Sequence, residues 1–361
     1  MRKTILIVAV SLGGFFVLLL GAFLLFGPSY FRERLYFGLG FRPKTELVLQ
    51  VQVQDVVKEE ADDTIDRLQE ELSKAGLTGL AIERNDPARA EDAERIQIDL
   101  RGVPADKAGL VRSLVSERFS AWVLTSGEGS SFRMNLRPAE LVALKQDAVE
   151  RSIQVIQKRI RGLGLIARVF RREGSGSPSD QIVVQWASRL ADPARVYSFL
   201  RTVARLELTA VKDGPFASRD QAMAKLGGVL PPGTRLLRVA ARGPAEENWY
   251  LLSRRPVIAA HHLQYARPGR DEAGRWETEF TLSQPGAELF ARFTEANIGN
   301  RLAIVLDNQV WSAPTIQGRI ENQGRITGLF SQQEAFDLAL VLRSGALPAS
   351  VVLIEERNLE P

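Results

Sequence analysis

LVLQVQVQDVVKEEADDTIDRLQEEL, residues 47–72, sets the pattern from which the rest of the chain is read. Leu47, Leu49, Val51 and Val53 alternate with Val48, Gln50, Gln52 and Gln54, the period of two of a half-buried strand. Ala61, Ile65, Leu68 and Leu72 then recur at helical spacing, with Lys74 and Gly76 as stop signals. Strands are expected at 80–82 and 96–100, a helix over 110–115 and a last strand at 121–125. The order is βαββαβ, the split-βαβ plan.

The same order returns twice. A second module reads as a strand at 132–136, a long helix over 138–162, strands at 165–171 and 181–185, a helix from Asp192 and a strand at 206–211. A third reads as a strand at 276–282, a helix at 286–297, a strand at 302–306 and an Asp307-Asn308 turn. Val310-Trp311, a helix at 332–342 and a strand at 351–355 complete it. Between modules two and three, 212–255 carries Gly227-Gly228 and Pro231-Pro232-Gly233 with little periodicity. Such an insertion is expected to project from the body, either as a structural excursion or as a binding element.

Upstream, residues 4–26 carry no charge, and 16 of the 23 are Leu, Ile, Val or Phe. At 1.5 Å per residue they reach about 34 Å, enough to cross a hydrocarbon core of about 30 Å. The run reads as an uncleaved anchor. A cleaved signal peptide competes, with a buried helix behind it. Arg2 and Lys3 on one side and Arg32, Arg34, Arg42 and Lys44 on the other leave its orientation open.

The 361 residues, 45% hydrophobic and 25% charged, are enough for two or three domains. A net charge of +4 argues against a nucleic-acid surface. With no cysteine there is neither a disulfide nor a thiolate site. His261-His262, on an expected strand, would point to opposite faces and not share a metal. Glu59-Glu60 and Asp62-Asp63 read as a solvated helix face, and 174–178 as a hairpin turn rather than a phosphate loop. No catalytic residue, cofactor site or metal site is expected.

GNRLAIVLDNQVWSAP at 299–314, Gly328 and QEAFDLALVLRSGALP at 333–348 resemble the first periplasmic domain of the SecD family, membrane-anchored accessory subunits of the bacterial protein-export translocase. Phe280-Thr281-Leu282, the 286–294 helix, RIRGLG at 159–164 and Leu206-Glu207-Leu208 are similar to it as well. The resemblance covers about 136–357, and more loosely the anchor and first strand. Three features depart from the family pattern. GLGFRPK at 38–44 lacks the family's acidic residue and paired glycines, and Gln185-Trp186-Ala187 replaces a common Leu-Pro-Gly turn. The family also continues past the position of Pro361 into further spans, so the resemblance fits either a piece of a longer protein or a shortened relative.

The resemblance implies a ferredoxin-like α+β base and a swinging head, behind one transmembrane helix. The expected division is an anchor at 1–29, a first ferredoxin-like module at 30–130, a base at 131–211 and 256–361, and an inserted head at 212–255. Apolar head residues expected to touch polypeptide are Phe216, Leu226, Val229, Leu230, Leu236 and Leu237. The implied protein is non-enzymatic and single-pass in the bacterial inner membrane, with its bulk in the periplasm. Its implied partners are the Sec translocon, a SecF-like membrane subunit, unfolded secretory polypeptide and membrane lipid, with no nucleic acid. The alternative is a structural or assembly subunit that docks export partners without handling substrate.

Overall fold

The computed structural model describes residues 45–87, 89–127, 130–173, 179–187, 192–231, 233–240 and 248–359. The expected anchor, the 38–44 motif and the 174–178 turn lie outside the described residues. Among those described, no helix is long and apolar enough to cross a membrane.

Strands and helices form close to where the periodicity puts them, but the strands pair differently. Four antiparallel strands, β1 (Thr45–Val51), β6 (Ala167–Arg171), β7 (Gln181–Trp186) and β17 (Val351–Asn358), make one sheet in the order β17-β1-β7-β6. The strand expected to open the first module thus joins strands expected in the second and third. Its burial explains why: Leu47, Val48 and Leu49 are each at most 1% exposed, so β1 is apolar on both faces and takes a central place. Helices α3 (Pro138–Gly162) and α4 (Pro193–Arg201) contact this sheet. Pro138 opens α3 at its first turn, and Leu141, Ala148, Val149, Ser152, Ile156 and Ile160 form its buried stripe.

Two stretches interrupt this unit. The first begins with α1 (Val53–Lys74), one residue after β1, and continues with β2 (Ala81–Arg84), β3 (Gln97–Arg101), α2 (Ala108–Arg118), β4 (Trp122–Ser126) and β5 (Phe132–Leu136). These strands form a separate sheet ordered β2-β3-β5-β4. The strand expected to open the second module therefore ends the first insertion. A short loop, closed by Gly127 N donating to Ser131 O at 2.9 Å, makes the β4–β5 hairpin the pairing of lowest closure entropy.

The second interruption, 206–344, starts with the long strand β8 (Leu206–Phe216) and the short helix α5 (Arg219–Lys225). The first half of β8 pairs with β14 (Leu302–Leu306), which turns through Asp307 and Asn308 into β15 (Gln309–Ser312). Both turn residues have positive φ, 51° and 61°, as this tight hairpin requires. The second half pairs with β10 (Trp249–Ser253), β10 with β9 (Thr234–Arg238), and the short β11 (Ile258–Ala259) with Glu207 and Leu208 of the first half. A bridge between Val239 and Val310 joins the two ends of this sheet around Tyr250, Leu252, Ala303, Val305 and Val310.

The stretch 212–255 is therefore no separate projection, because its strands continue the sheet that β14 and β15 begin. Beside it, β12 (Leu263–Arg270), β13 (Trp276–Leu282) and β16 (Gln323–Phe330) form a three-stranded sheet packed by α6 (Gln284–Ala296) and α7 (Gln332–Ser344). The succession of three self-contained βαββαβ modules is thus replaced by four sheets, each drawing on whichever strand completes its buried face.

Candidate functional site

The unit at 206–344 connects to the β1 sheet through two backbone crossings, 202–205 and 345–350. They meet where Leu347 N donates to Val203 O at 2.8 Å. One residue from each side holds them. From α3, the fully buried Arg159 guanidinium donates to Leu200 O (2.9 Å), Gly345 O (3.2 Å) and Thr202 O, with longer bonds to Phe199 O and Val203 O. It supplies donors to the carbonyls at the end of α4, which have no partner within the helix, and ties both crossings to one side chain. Burial pulls its pKa down to about 10, partly opposed by the charge of Asp307, so it stays cationic at neutral pH. From the β14–β15 turn, the Asp307 carboxylate accepts from Ala204 N at 3.2 Å and Arg205 N at 2.8 Å.

A second set of contacts runs along α1. Glu59, Asp66 and Glu70 share one helical stripe and pair with Arg205 (2.8 Å) of the first crossing and with Arg254 (3.5 Å) and Arg255 (3.4 Å) of the inserted unit. Burial raises the pKa of Asp66, against the lowering effect of Arg254 and with repulsion from Asp63 added. Burial likewise raises Glu59, opposed by Arg205. The face expected to be solvated is thus partly an interface, since Asp62 also bonds Arg84 at 2.8 Å.

The six apolar residues expected to contact polypeptide do not form one open surface. Phe216 is 5% exposed and packs with Ala222 and Leu251, against which Leu226, Leu230 and Leu236 lie partly buried. Leu237 packs instead against the cluster inside the closed sheet. Val229 stands out at 73% exposed. The structure thus divides the expected set into a small core and one accessible member.

His261 and His262 occupy a 3₁₀ turn (Ala260–His262) rather than a strand, which brings their ring centroids to 4.0 Å instead of sending them to opposite faces. His262 Nδ1 accepts from Ala259 N at 3.1 Å. Among the described residues no group of three or more His, Asp or Glu is placed to hold a metal.

Beside the crossings lies a half-open cleft of about 730 Å³ between α4, the β14–β15 turn and α7. Val196, Phe199, Leu306, Leu338 and Val341 form its buried floor, and Leu163, Leu165 and Trp311 stand half-buried along its walls. Composition gave no sign of this cleft, because its lining comes from four separate stretches of sequence. Arg159 did carry a signal, since it sits at core spacing between Ile156 and Ile160.

Residues 235–349 match the family described as SecDF, P1 head subdomain, a match that runs well past the expected head boundary at 255. Over 330 residues, 91% of this chain and 60% of the relative, the sequence is 36% identical to the protein translocase subunit SecD of Koribacter versatilis. It is 32% identical over 333 residues, again 90% of this chain and 60% of the relative, to the protein translocase subunit SecD of Aquifex aeolicus. A solved chain of SecDF, a membrane component that enhances protein export, is 31% identical over 58% of this chain and 92% of that chain, with a TM-score of 0.43. The chain spans about 60% of the length of these two curated relatives.

Proposed function

The chain belongs to the SecD family of protein translocase subunits, and on that footing we propose that it is a non-enzymatic accessory subunit of Sec-dependent protein export. The observation that carries this reading is the coincidence of the family's head match, 235–349, with most of a unit whose backbone enters and leaves through two adjacent crossings. Under this reading the β1 sheet with α3 and α4 is a ferredoxin-like base, since its strands follow the order fourth-first-third-second of a βαββαβ chain. The head is 206–344 rather than 212–255, and it turns about 202–205 and 345–350 while holding translocating polypeptide. Residues 4–26 anchor the protein in the inner membrane by one span, and the body lies in the periplasm, beside the translocon, a SecF-like subunit and lipid.

Val229 is the first point of polypeptide contact. Phe216, Leu226, Leu230, Leu236 and Leu237 stand behind it and join as the small core loosens. A photocrosslinker at Val229 should capture a stalled secretory chain, whereas one at Leu110, an exposed apolar residue on α2, should not. Equal capture at both would reduce the contact to surface stickiness. The second reading, a docking subunit without substrate handling, has support in Phe170, Val352 and Ile354, exposed on the two edge strands of the β1 sheet. It predicts translocon crosslinks at Ile354 and no client at Val229.

A further inference from the structure

We propose that the cleft between α4, the β14–β15 turn and α7 binds a short extended segment of polypeptide in which apolar side chains alternate with lysine or arginine. This rests on the polypeptide-handling reading above and adds to it a location and a sequence preference. The volume, about 730 Å³, falls within the range of specific ligand sites, about 300–1,000 Å³. The floor of Val196, Phe199, Leu306, Leu338 and Val341 is apolar and supplied by rigid elements, and Trp311 offers a half-buried aromatic wall.

The rim determines which apolar segment fits. Asp192, Asp307, Glu334 and Asp337 line the cleft, against Arg195 as the one lining cation among the described residues. Most of these carboxylates also have structural duties that fix their positions. Asp192 accepts from Ala194 N and caps α4, Asp307 holds the first crossing, and Glu334 accepts from Ser331 N at 2.7 Å in the capping box of α7. The Asp192 and Asp337 carboxylates, which accept from the neutral donors Ala194 N and Gln333 Nε2, keep their negative charge beside the apolar floor. An acidic peptide would meet like charge at the rim, and an uncharged one would leave the field unused. A segment with cationic side chains flanking an apolar one satisfies both parts of the surface. Thr202 of the first crossing and Asp307, which holds that crossing, both line the cleft, so an occupant also touches the connection between the two units.

The test uses the full chain in nanodiscs and two labelled hexapeptides, one alternating leucine or phenylalanine with lysine, the other carrying glutamate for lysine. Fluorescence anisotropy should give the lysine peptide at least about tenfold tighter binding, weakening with added salt. The double variant D192N/D337N keeps a residue that caps α4 and should weaken the lysine peptide about tenfold, without lowering the thermal midpoint. Trp311→Ala should weaken both peptides. Equal affinity for the two peptides, or a lysine-peptide affinity untouched by D192N/D337N, would overturn the proposal. So would a dimer that D192N/D337N dissolves, since the occupant would then be a second copy. Client capture at Val229 with no peptide discrimination would leave the export reading standing and remove this one. Discrimination with no client capture would do the reverse.

Discussion

Replacing Arg159 by alanine removes the one side chain among the described residues that bonds both crossings. Its three closest bonds are to Leu200 O, Thr202 O and Gly345 O, and each bond from a charged donor contributes about 1.5–3 kcal/mol. Against this stands the cost of keeping a guanidinium out of water, which is why its pKa falls to about 10. Truncation recovers that cost but leaves carbonyls facing a cavity, and the net loss for a buried charged hub of this kind is about 3–5 kcal/mol. Arg159→Lys keeps the charge and loses the planar fork that reaches several carbonyls at once, so about half the loss is expected. At about 1.4 kcal/mol per tenfold, amide exchange at Leu347 and Arg205 should accelerate by two to four orders of magnitude in R159A. Exchange in the β2-β3-β5-β4 sheet should change far less. A shift under about tenfold at Leu347, or equal acceleration in both places, would refute the assignment of Arg159 to the crossings.

Three other perturbations have definite signs. Asp307→Ala takes the acceptor from Ala204 N and Arg205 N and puts alanine at a φ of 51°, so urea denaturation should show a loss of about 2 kcal/mol; Asp307→Asn, which tolerates that conformation, should lose less than half as much. Asp66 has a folded pKa raised by burial, so the folded state takes up its proton first as pH falls toward the ordinary aspartate value of 3.8, and the wild type should gain thermal stability relative to Asp66→Asn along that fall; the opposite trend would mean the Arg254 pair outweighs burial. Gly324→Ala would place a Cβ 2.2 Å from Cζ of the Phe280 ring, and displacing that buried ring should cost about 1–3 kcal/mol in a thermal melt.

Local periodicity was enough to place most elements. Pro138 and Gly162 bound α3 as read, and the strands at 276–282 and 302–306 and the helix from Gln332 begin where their patterns do. Partner choice was not available from the same signal, because alternation fixes which face of a strand is buried and leaves open which edge it meets. Hence β1 was grouped with its sequence neighbours, although Val48, apolar on the face opposite Leu47 and Leu49, already suited a central strand. The strands β9 and β10 escaped notice because TRLLR and WYLLS, short and packed on both sides, show no alternation. The acidic stripe of α1 could be seen in the sequence, but not its partners, which arrive from 146 to 188 residues away. Arg159 was visible as a cation at core spacing, and only the fold reveals what it donates to.

The two crossings, the cleft and the α1 ion pairs involve overlapping residues, and that overlap constrains how the inserted unit can move. Arg159 holds the crossings from the side of the β1 sheet and Asp307 holds the first of them from the inserted unit, so 202–205 is gripped at both ends of four residues. A rotation that preserves the Asp307 bonds carries Ala204 and Arg205 with the inserted unit and must break or lengthen the Arg159 bonds at Thr202 and Val203. A rotation that preserves the Arg159 bonds instead leaves Ala204 and Arg205 on the side of the β1 sheet, within reach of the α1 carboxylate Glu59, and must break or lengthen the Asp307 bonds. Both change the distance between Thr202 and Asp307, which face each other in the cleft lining. An occupant that spans the two therefore has different affinity for the two arrangements, the thermodynamic condition for binding to shift a conformational equilibrium. It follows that R159A, which weakens one grip, should also alter the cleft's affinity for the lysine peptide although Arg159 is not part of its lining. An unchanged affinity would mean that the cleft and the crossings act independently.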